Sequence, residues 1–299
     1  MNSRVTITLP GYGPFYLAPD ANIPCSLEPI QAGGSFESLE VLQRAAYDYV
    51  YRAQWTGRTQ PQGGRATPLD VVLKLHYCRR ITPRELEREA EMYGHARGTQ
   101  GYSIPRCYGL FRGAAESDPN EMIVVLVLEY CGENLTDPKG HLIDFYDMDR
   151  DRQKMVAQQT VALHHFGGLE HNDLYARNVV WTDDNRAVIV DLAHANKHEC
   201  KQRGTITRYT MIPEPLDFGC DEIHDICLEC RIWFSPEMEF VGQIIPASSI
   251  YTLEDILRPV KESGEYLTPR RMAEAEQILE EIEFRRKHYP SSLKSPTRT

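Results

Sequence analysis

His-Asn-Asp-Leu-Tyr-Ala-Arg-Asn, residues 171–178, is the stretch from which the predicted fold follows. Two short apolar runs come after it, at residues 179–181 and 187–190, and an Asp- and Asn-rich turn separates them. Runs of this length joined by such a turn are typical of a β-hairpin. One acidic residue, Asp191, stands directly after the second run. The hairpin would therefore bring this acid back towards the stretch that precedes it.

Three side chains carry oxygen atoms that such a hairpin would bring into one small volume: Asp173, Asn178 and Asp191. Carboxylate and amide oxygens suit Mg²⁺, a hard ion that keeps several waters and shares the phosphates of a substrate. Asn178 and Asp191 are therefore the predicted metal ligands. Asp173 lies apart from them in the sequence and is predicted to accept the proton of a hydroxyl group.

Four residues of the quoted stretch match the catalytic loop of protein kinases, H-R-D-L-x-x-x-N: His171, Asp173, Leu174 and Asn178. The ending Ala-Arg-Asn is most similar to the tyrosine-kinase version, and Asp191-Leu192-Ala193 stands where those enzymes carry Asp-Phe-Gly. The chain thus resembles the protein-kinase-like superfamily, in particular a divergent group of fungal kinase-like proteins. This resemblance implies a two-lobed protein-kinase-like α+β fold. Its N-lobe would contain an antiparallel sheet plus one helix, and its C-lobe would be mainly helical.

The composition and the resemblance together predict four parts of the chain. They are an irregular leader at residues 1–35, a kinase-like N-lobe at residues 36–130, a kinase-like C-lobe at residues 131–289 and a disordered tail at residues 290–299. The apolar spacing near the end predicts a last helix over residues 268–288.

The sequence Leu-Gln-Arg-Ala-Ala-Tyr-Asp-Tyr-Val-Tyr-Arg-Ala, residues 42–53, resembles the phosphate-binding loop of kinases, L-G-x-G-x-F-G-x-V-Y-x-A. Leu42 and Val50 match its apolar positions, so the resemblance implies that they contact a nucleotide. The three glycines of that loop are replaced here by Gln43, Ala45 and Asp48. Glycine lets the backbone approach the phosphates closely, so these side chains are expected to weaken phosphate binding.

Lys74 stands inside an apolar strand-like run, where kinases carry the lysine that orients the α- and β-phosphates. An unpaired ammonium in such a strand is costly to bury, so a carboxylate is expected beside it, the alternative being a solvated sheet face. The following helix, which Thr82 and Pro83 would begin, offers several glutamates. Glu89 is the predicted partner, and Glu85 on the same helix face is the alternative.

The apolar run at residues 122–128 continues as Glu-Tyr-Cys-Gly, which resembles the hinge between kinase lobes. The resemblance implies that backbone groups of Glu129 and Cys131 contact adenine. It also implies a catalytic role for Arg177, which matches the arginine of the tyrosine-kinase loop. Asn172 replaces the arginine with which kinases read a phosphorylated activation loop, so activation by phosphorylation is not expected.

The formal net charge of −10 over 299 residues argues against nucleic acid or a membrane surface as the main partner. Binding of ATP needs only a local basic site. No signal peptide is apparent, and the eight cysteines show no regular framework. An intracellular protein, cytoplasmic or nuclear, with reduced thiols is therefore expected.

One group of residues has a spacing compatible with zinc binding: Cys220, His224, Cys227 and Cys230. A Cys-x-x-Cys pair is common in zinc sites. Cysteines buried on a helix among apolar neighbours would explain the same run. The spacing leaves both interpretations open.

The predicted function is Mg²⁺- and ATP-dependent transfer of a γ-phosphoryl group to a hydroxyl acceptor, on a protein or a small molecule. Two alternatives stay open. A pseudokinase that acts as a binding scaffold is favoured by the loss of the three glycines. A small-molecule kinase resembling aminoglycoside and choline kinases is favoured by the absence of an Ala-Pro-Glu segment. An active enzyme is favoured by the joint presence of four residues: Lys74, Asp173, Asn178 and Asp191.

Overall fold

The structure is a computed structural model that describes residues 5–9, 13–26, 30, 33–44, 48–57, 68–78 and 84–293. The chain forms two compact units, Met1–Lys201 and Gln202–Thr299. The predicted border between two lobes, at residues 130 and 131, falls inside the first unit. All the site residues predicted from the kinase resemblance belong to that unit.

Seven strands of the first unit form a closed barrel: β1 Val5–Leu9, β2 Gly13–Pro19, β3 Ser35–Arg44, β4 Asp48–Trp55, β5 Leu69–Tyr77, β6 Cys107–Ala115 and β7 Met122–Glu129. Their order around the barrel is β1-β2-β6-β7-β5-β4-β3. β1 and β3 pair in parallel, through Thr6 with Ser35 and Ile7 with Phe36, and this contact closes the barrel. Each of the other neighbouring pairs is antiparallel.

The barrel interior is apolar because alternate side chains of each strand point inward. In β5 the buried positions are Val71, Leu73, Leu75 and Tyr77, and the residues between them lie on the outer face. The inward side chains of β5 belong to one buried core with those of the neighbouring strands. Lys74 therefore lies on the outside of the barrel wall.

The predicted two-lobed protein-kinase-like α+β fold, with an antiparallel N-lobe sheet plus one helix and a mainly helical C-lobe, is wrong. The sheet is a closed seven-stranded barrel, and helices and strands are mixed in the rest of the chain. The difference arises within residues 1–35, which were expected to form an irregular leader. They contribute β1 and β2, which lie between β3 and β6 and leave those strands without open edges.

The remainder of the first unit contains two longer helices, α1 Arg84–His95 and α2 Arg150–Gly167, and four short strands: β8 Leu169–Glu170, β9 Val179–Trp181, β10 Ala187–Ile189 and β11 Asn196–Lys197. β9 and β10 pair in antiparallel fashion, which confirms the predicted hairpin. β8 and β11 form a second antiparallel pair. Thr82 and Pro83, the predicted start of α1, lie outside the described residues.

The second unit contains four helices and a hairpin: α3 Pro215–Phe218, α4 Asp221–Glu229, β12 Glu237–Phe240, β13 Gln243–Pro246, α5 Leu253–Glu262 and α6 Pro269–His288. α6 confirms the predicted last helix, and the hydroxyl of Thr268 caps it by accepting the backbone N–H of Arg271. Of the predicted tail, Pro290–Leu293 forms a 3-10 turn, and residues 294–299 lie outside the described part of the chain. None of the helices described is both long enough and apolar enough to cross a membrane.

Candidate active site

The strand β5 presents Lys74 to the site from the outer face of the barrel. Lys74 is paired with Val50 on β4 and with Leu126 on β7, so these three side chains lie on the same face of the sheet. Val50 is half-buried there, whereas Leu42, on β3, is exposed. Ala45 lies outside the described residues, so the predicted loss of the phosphate cradle stays a prediction.

The ammonium of Lys74 is bound by two carboxylates. Its Nζ donates to both oxygens of Glu89, at 2.7 and 2.9 Å, and to Oδ1 of Asp191, at 2.6 Å. Glu89 is 1% exposed, whereas Glu85 is exposed on the same helix. The predicted pair of Lys74 with Glu89 is therefore confirmed, and the alternative partner Glu85 is not used.

The charges of these three groups depend on each other. Burial would lower the pKa of Lys74, but the charges of Glu89 and Asp191 outweigh it and raise that pKa above its ordinary value. Burial raises the pKa of Glu89, with Lys74 opposing and Asp191 adding to the effect. Burial also acts to raise the pKa of Asp191, but the charge and hydrogen bond of Lys74 outweigh it and lower that pKa. Lys74 and Asp191 are thus charged at neutral pH, and Glu89 is the most costly group to ionise.

The backbone at Asp191 is held in an uncommon conformation. Its φ is 67°, in the left-handed region that asparagine and aspartate enter more easily than most residues. The next residue, Leu192, donates its backbone N–H to Oε1 of Glu89 at 3.2 Å. Just before it, the N–H of Val190 donates to the carbonyl of Asn178 at 2.9 Å. These bonds fix Asp191 between α1 and the stretch that ends at Asn178.

The start of the stretch at residues 171–178 is fixed by His171. This side chain is fully buried, and its Nε2 lies 3.0 Å from the carbonyl of Val190. Its Nδ1 accepts the backbone N–H of Asp173 at 3.3 Å. His171 therefore orients the backbone of Asp173 and joins it to the end of β10.

The carboxylate of Asp173 is oriented by two neighbours within the same stretch. The amide nitrogen of Asn178 donates to the carboxylate oxygen Oδ2 of Asp173 at 2.9 Å and to its backbone carbonyl at 2.7 Å. The guanidinium of Arg177 donates to Oδ1 at 2.5 Å and lies over the ring of Tyr175. Both oxygens are therefore held in place, while 23% of the Asp173 side chain remains exposed.

Asn178 and Asp191, the predicted metal ligands, each keep one oxygen atom without a hydrogen-bond donor among the described residues. Because Asn178 uses its amide nitrogen on Asp173, its other amide atom, Oδ1, is the one left for a cation. Of the two carboxylate oxygens of Asp191, only Oδ1 has a hydrogen-bond donor among the described residues. An amide oxygen and a carboxylate oxygen are ligands that Mg²⁺ uses in proteins.

The segment after β7 carries the predicted adenine contacts. The backbone N–H of Glu129 donates to the carbonyl of Arg106 at 2.8 Å, and the Glu129 carboxylate pairs with the Arg106 guanidinium at 3.1 Å. Cys131 is buried, and this burial raises the pKa of its thiol to about 12. Glu129 therefore uses its N–H within the barrel sheet, and Cys131 presents a neutral side chain.

Two residues that sequence reasoning missed hold this segment against the site. The amide nitrogen of Asn134 donates to three carbonyls of residues 171–178 and β9: Ala176 at 3.3 Å, Arg177 at 2.8 Å and Val179 at 2.9 Å. Gly132 has φ 108°, and a Cβ there would lie 1.9 Å from the carbonyl oxygen of Trp181. No local pattern predicts these two contacts, because the partners are more than 40 residues away in sequence.

A cavity of about 650 Å³ lies beside this segment. Its wall includes Arg52, Asp70, Tyr130, Glu133 and Trp181, and Arg52 stacks on the ring of Tyr130 at 3.9 Å from its centre. The wall does not include Lys74, Asp173 or Asp191 among the residues described. Glu129 and Cys131 also line the cavity, so it adjoins the predicted adenine contacts.

The predicted zinc group in the second unit does not form a site among the described residues. Cys220, His224, Cys227 and Cys230 are buried, and no three of them bring ligand atoms together. Burial raises the pKa of Cys227 to about 12 and raises the pKa of Cys230 above its ordinary value. Nε2 of His224 lies 3.0 Å from the carbonyl of Pro213. The alternative interpretation, buried cysteines within a helical core, fits these observations.

No protein-family model matches the chain, and no curated protein matches it significantly. Lys74 contacts Asp191, Asn178 contacts Asp173, and the backbone bond from Val190 to Asn178 links the two pairs. Such an arrangement can bind a polyanion, hold a hard cation and accept a proton from a hydroxyl group.

Proposed function

We propose that the chain is a Mg²⁺-ATP-dependent phosphotransferase that moves a γ-phosphoryl group to a hydroxyl acceptor. The observation that carries this proposal is the network of Lys74, Glu89 and Asp191, which the backbone bond from Val190 to Asn178 joins to the stretch that carries Asp173. The ammonium of Lys74 is suited to binding phosphate, because the buried carboxylate of Glu89 fixes its position before the ligand binds. A purely structural ion pair would not need the second acid and its left-handed backbone.

Lys74 is the residue proposed to bind phosphate oxygens. It keeps its proton because the pKa is raised, and Glu89 holds it by two hydrogen bonds. Its contact with Asp191 is the one that a nucleotide would replace or share, since Asp191 is 40% exposed and Glu89 is almost fully buried. Glu89 is therefore a positioning residue, and Lys74 is the residue that contacts the phosphate.

Asp191 and Asn178 are proposed to hold Mg²⁺ through a carboxylate oxygen and an amide oxygen. When bound, this ion neutralises charge on the phosphate oxygens during transfer. The lowered pKa of Asp191 keeps the carboxylate ionised for this task over the physiological pH range. The hydrogen bonds of Asn178 to Asp173 set the direction of its amide group.

Asp173 is proposed to orient the acceptor hydroxyl and to take its proton. Its partial exposure leaves room for an acceptor, and Arg177 and Asn178 fix the direction of the carboxylate. Arg177 is 55% exposed in its side chain, which supports a second role as a contact for the transferred phosphoryl group. Glu129 and Cys131 are proposed to contact adenine through backbone groups, with Val50 and Leu42 as apolar neighbours.

A distant relationship to protein kinases is part of this proposal. It is supported by the motif residues and their mutual contacts, and the closed barrel sets the chain apart from those enzymes. The alternatives predict different results in the same experiments. A scaffold of the pseudokinase type would bind partners without phosphoryl transfer, and a small-molecule kinase would phosphorylate a low-molecular-weight alcohol. An intracellular location, where ATP is abundant, belongs to the same proposal.

The proposal is tested by a thermal-shift titration with ATP, with and without Mg²⁺. A ligand that binds only the folded protein raises the melting temperature. We expect a Mg²⁺-dependent rise for the wild type that Asp191→Ala removes. Glu276→Ala, which removes an exposed acid on α6 in the second unit, is the matched control and should keep the rise. No rise at millimolar Mg²⁺-ATP, or a rise equal in both variants, would contradict the proposed nucleotide site.

A further inference from the structure

We propose that His164, His198 and Cys200 form a zinc-binding site in the first unit, separate from the candidate active site. One ligand atom from each of these side chains lies within 4.8 Å of the others. Zinc bonds of about 2.0–2.3 Å to nitrogen and sulfur place neighbouring ligands about 3.3–3.8 Å apart. The side chains are thus close to the spacing of a zinc site, and small rotations would complete it.

The backbone brings the two histidines together. His164 lies in the last turn of α2 and is 1% exposed. α2 ends at Gly168, whose φ of 61° lets the chain turn back into β8. β8 pairs with β11, and the N–H of His198, directly after β11, donates to the carbonyl of Gly168 at 2.8 Å. The imidazole rings then stand 4.9 Å apart between centres, at an angle of 74°.

The chemistry of the three side chains selects the ion. Two imidazole nitrogens and one thiolate sulfur suit zinc, whereas Mg²⁺ and Ca²⁺ require oxygen ligands. His198 and Cys200 are only half-buried, so an ion can reach them from solvent. Cys200 would lose its proton on binding, which makes the affinity depend on pH. Three protein ligands leave one tetrahedral position for a water molecule or another donor.

The position of this group suggests what the ion does. β8 leads directly into His171, the first residue of the catalytic stretch, and β11 follows Asp191 after one 3-10 turn. An ion bound to His164, His198 and Cys200 would tie the end of α2 to the segment after Asp191. It would therefore stabilise the strand pair β8–β11 on which both halves of the candidate active site depend.

The test uses the full chain, freed of metal with a chelator and then titrated with Zn²⁺ or Co²⁺. We expect one equivalent of Zn²⁺ per chain, a rise in melting temperature on Zn²⁺ addition, and a sulfur-to-cobalt charge-transfer band with Co²⁺. Loss of a residue that only supports a metal ligand typically lowers metal affinity by about 10- to 100-fold. Cys200→Ser and His198→Ala remove ligands themselves and should lower zinc affinity by more than this. Cys200→Ser should also abolish the charge-transfer band.

Two matched variants act as controls. Cys78→Ser removes another half-buried thiol, and His165→Ala removes the exposed histidine next to His164. Both should bind Zn²⁺ as the wild type does, and so should Asp191→Ala, which separates this site from the proposed nucleotide site. A wild-type chain that shows no cobalt–thiolate band would overturn the proposal without the use of any variant. Zinc binding that Cys200→Ser and His198→Ala leave unchanged would overturn it as well.

Discussion

Replacing Lys74 by methionine tests whether the charged network is organised as the structure describes. The variant keeps a long side chain but leaves Glu89, which is 1% exposed, facing Asp191 with no cation between them. Loss of one partner from a buried ion pair costs about 3–5 kcal/mol. Because 40% of the Asp191 side chain is exposed, solvent screens part of this cost, so we expect a loss at the low end, about 3 kcal/mol at neutral pH.

The same substitution makes a prediction about pH. Burial already raises the pKa of Glu89, and without Lys74 that pKa should rise further above its unfolded value of about 4.3. A carboxyl whose pKa is higher in the folded state destabilises that state at neutral pH; the penalty begins to shrink as pH falls through the folded pKa and is lost below the unfolded pKa. The stability deficit of Lys74→Met relative to wild type should therefore shrink between about pH 7.5 and about pH 5.

Chemical denaturation followed by tryptophan fluorescence measures both effects. Lys261→Met is the matched control, since Lys261 pairs with Glu254 at 2.7 Å on an exposed surface. That change should alter stability by no more than about 0.5 kcal/mol, with no trend in this pH range. A deficit below about 1 kcal/mol for Lys74→Met, or one that is equal at both pH values, would refute the argument from burial.

Three further predictions concern the residues around the site. Gly132→Ala should lower stability by more than about 2 kcal/mol, because the added Cβ meets the Trp181 carbonyl. Gly140→Ala is the control: Gly140 also has a positive φ but has open space around it, so its loss should cost only about 1 kcal/mol. Thermal denaturation of the two variants measures the difference. Asn134→Ala should lower the free energy of unfolding by about 1–3 kcal/mol, because three carbonyls lose their hydrogen-bond donor. The denaturation midpoint should fall accordingly, and an unchanged midpoint would contradict this. Cys131, with its pKa raised to about 12, should resist iodoacetamide in the native protein at about pH 8 and react after unfolding. Mass spectrometry measures the labelling, and labelling of Cys131 in the native protein would contradict the prediction.

The pairing of Lys74 with Glu89 and the β9–β10 hairpin could be predicted because local patterns encode them. A lysine inside an apolar strand requires a counter-charge, and helical spacing restricts which glutamate can supply it. An Asp- and Asn-rich turn between two β-forming runs encodes the hairpin. Such features depend on a few neighbouring residues, so one sequence is enough to detect them.

The barrel closure could not be predicted from local patterns. β1 is only five residues long, and its parallel contact with β3 rests on Thr6 and Ile7 pairing with Ser35 and Phe36. Such pairings depend on the whole sheet, and the Pro- and Gly-rich surroundings of β1 and β2 indicated an irregular segment instead. The meeting of His164 with His198 and Cys200 was missed for the same reason, since β8 and β11 bring them together over a long sequence separation.

The measurement that tests the central proposal most directly is single-turnover release of γ-phosphate from ATP, with water in place of the acceptor. The assay compares wild type and Asp173→Asn, purified in the same way, with and without Mg²⁺. We predict Mg²⁺-dependent release by the wild type and a reduction of at least about 100-fold in Asp173→Asn, because the substituted amide cannot take a proton. Release at the rate of the buffer alone, or at equal rates in the two proteins, would contradict phosphoryl transfer at this site.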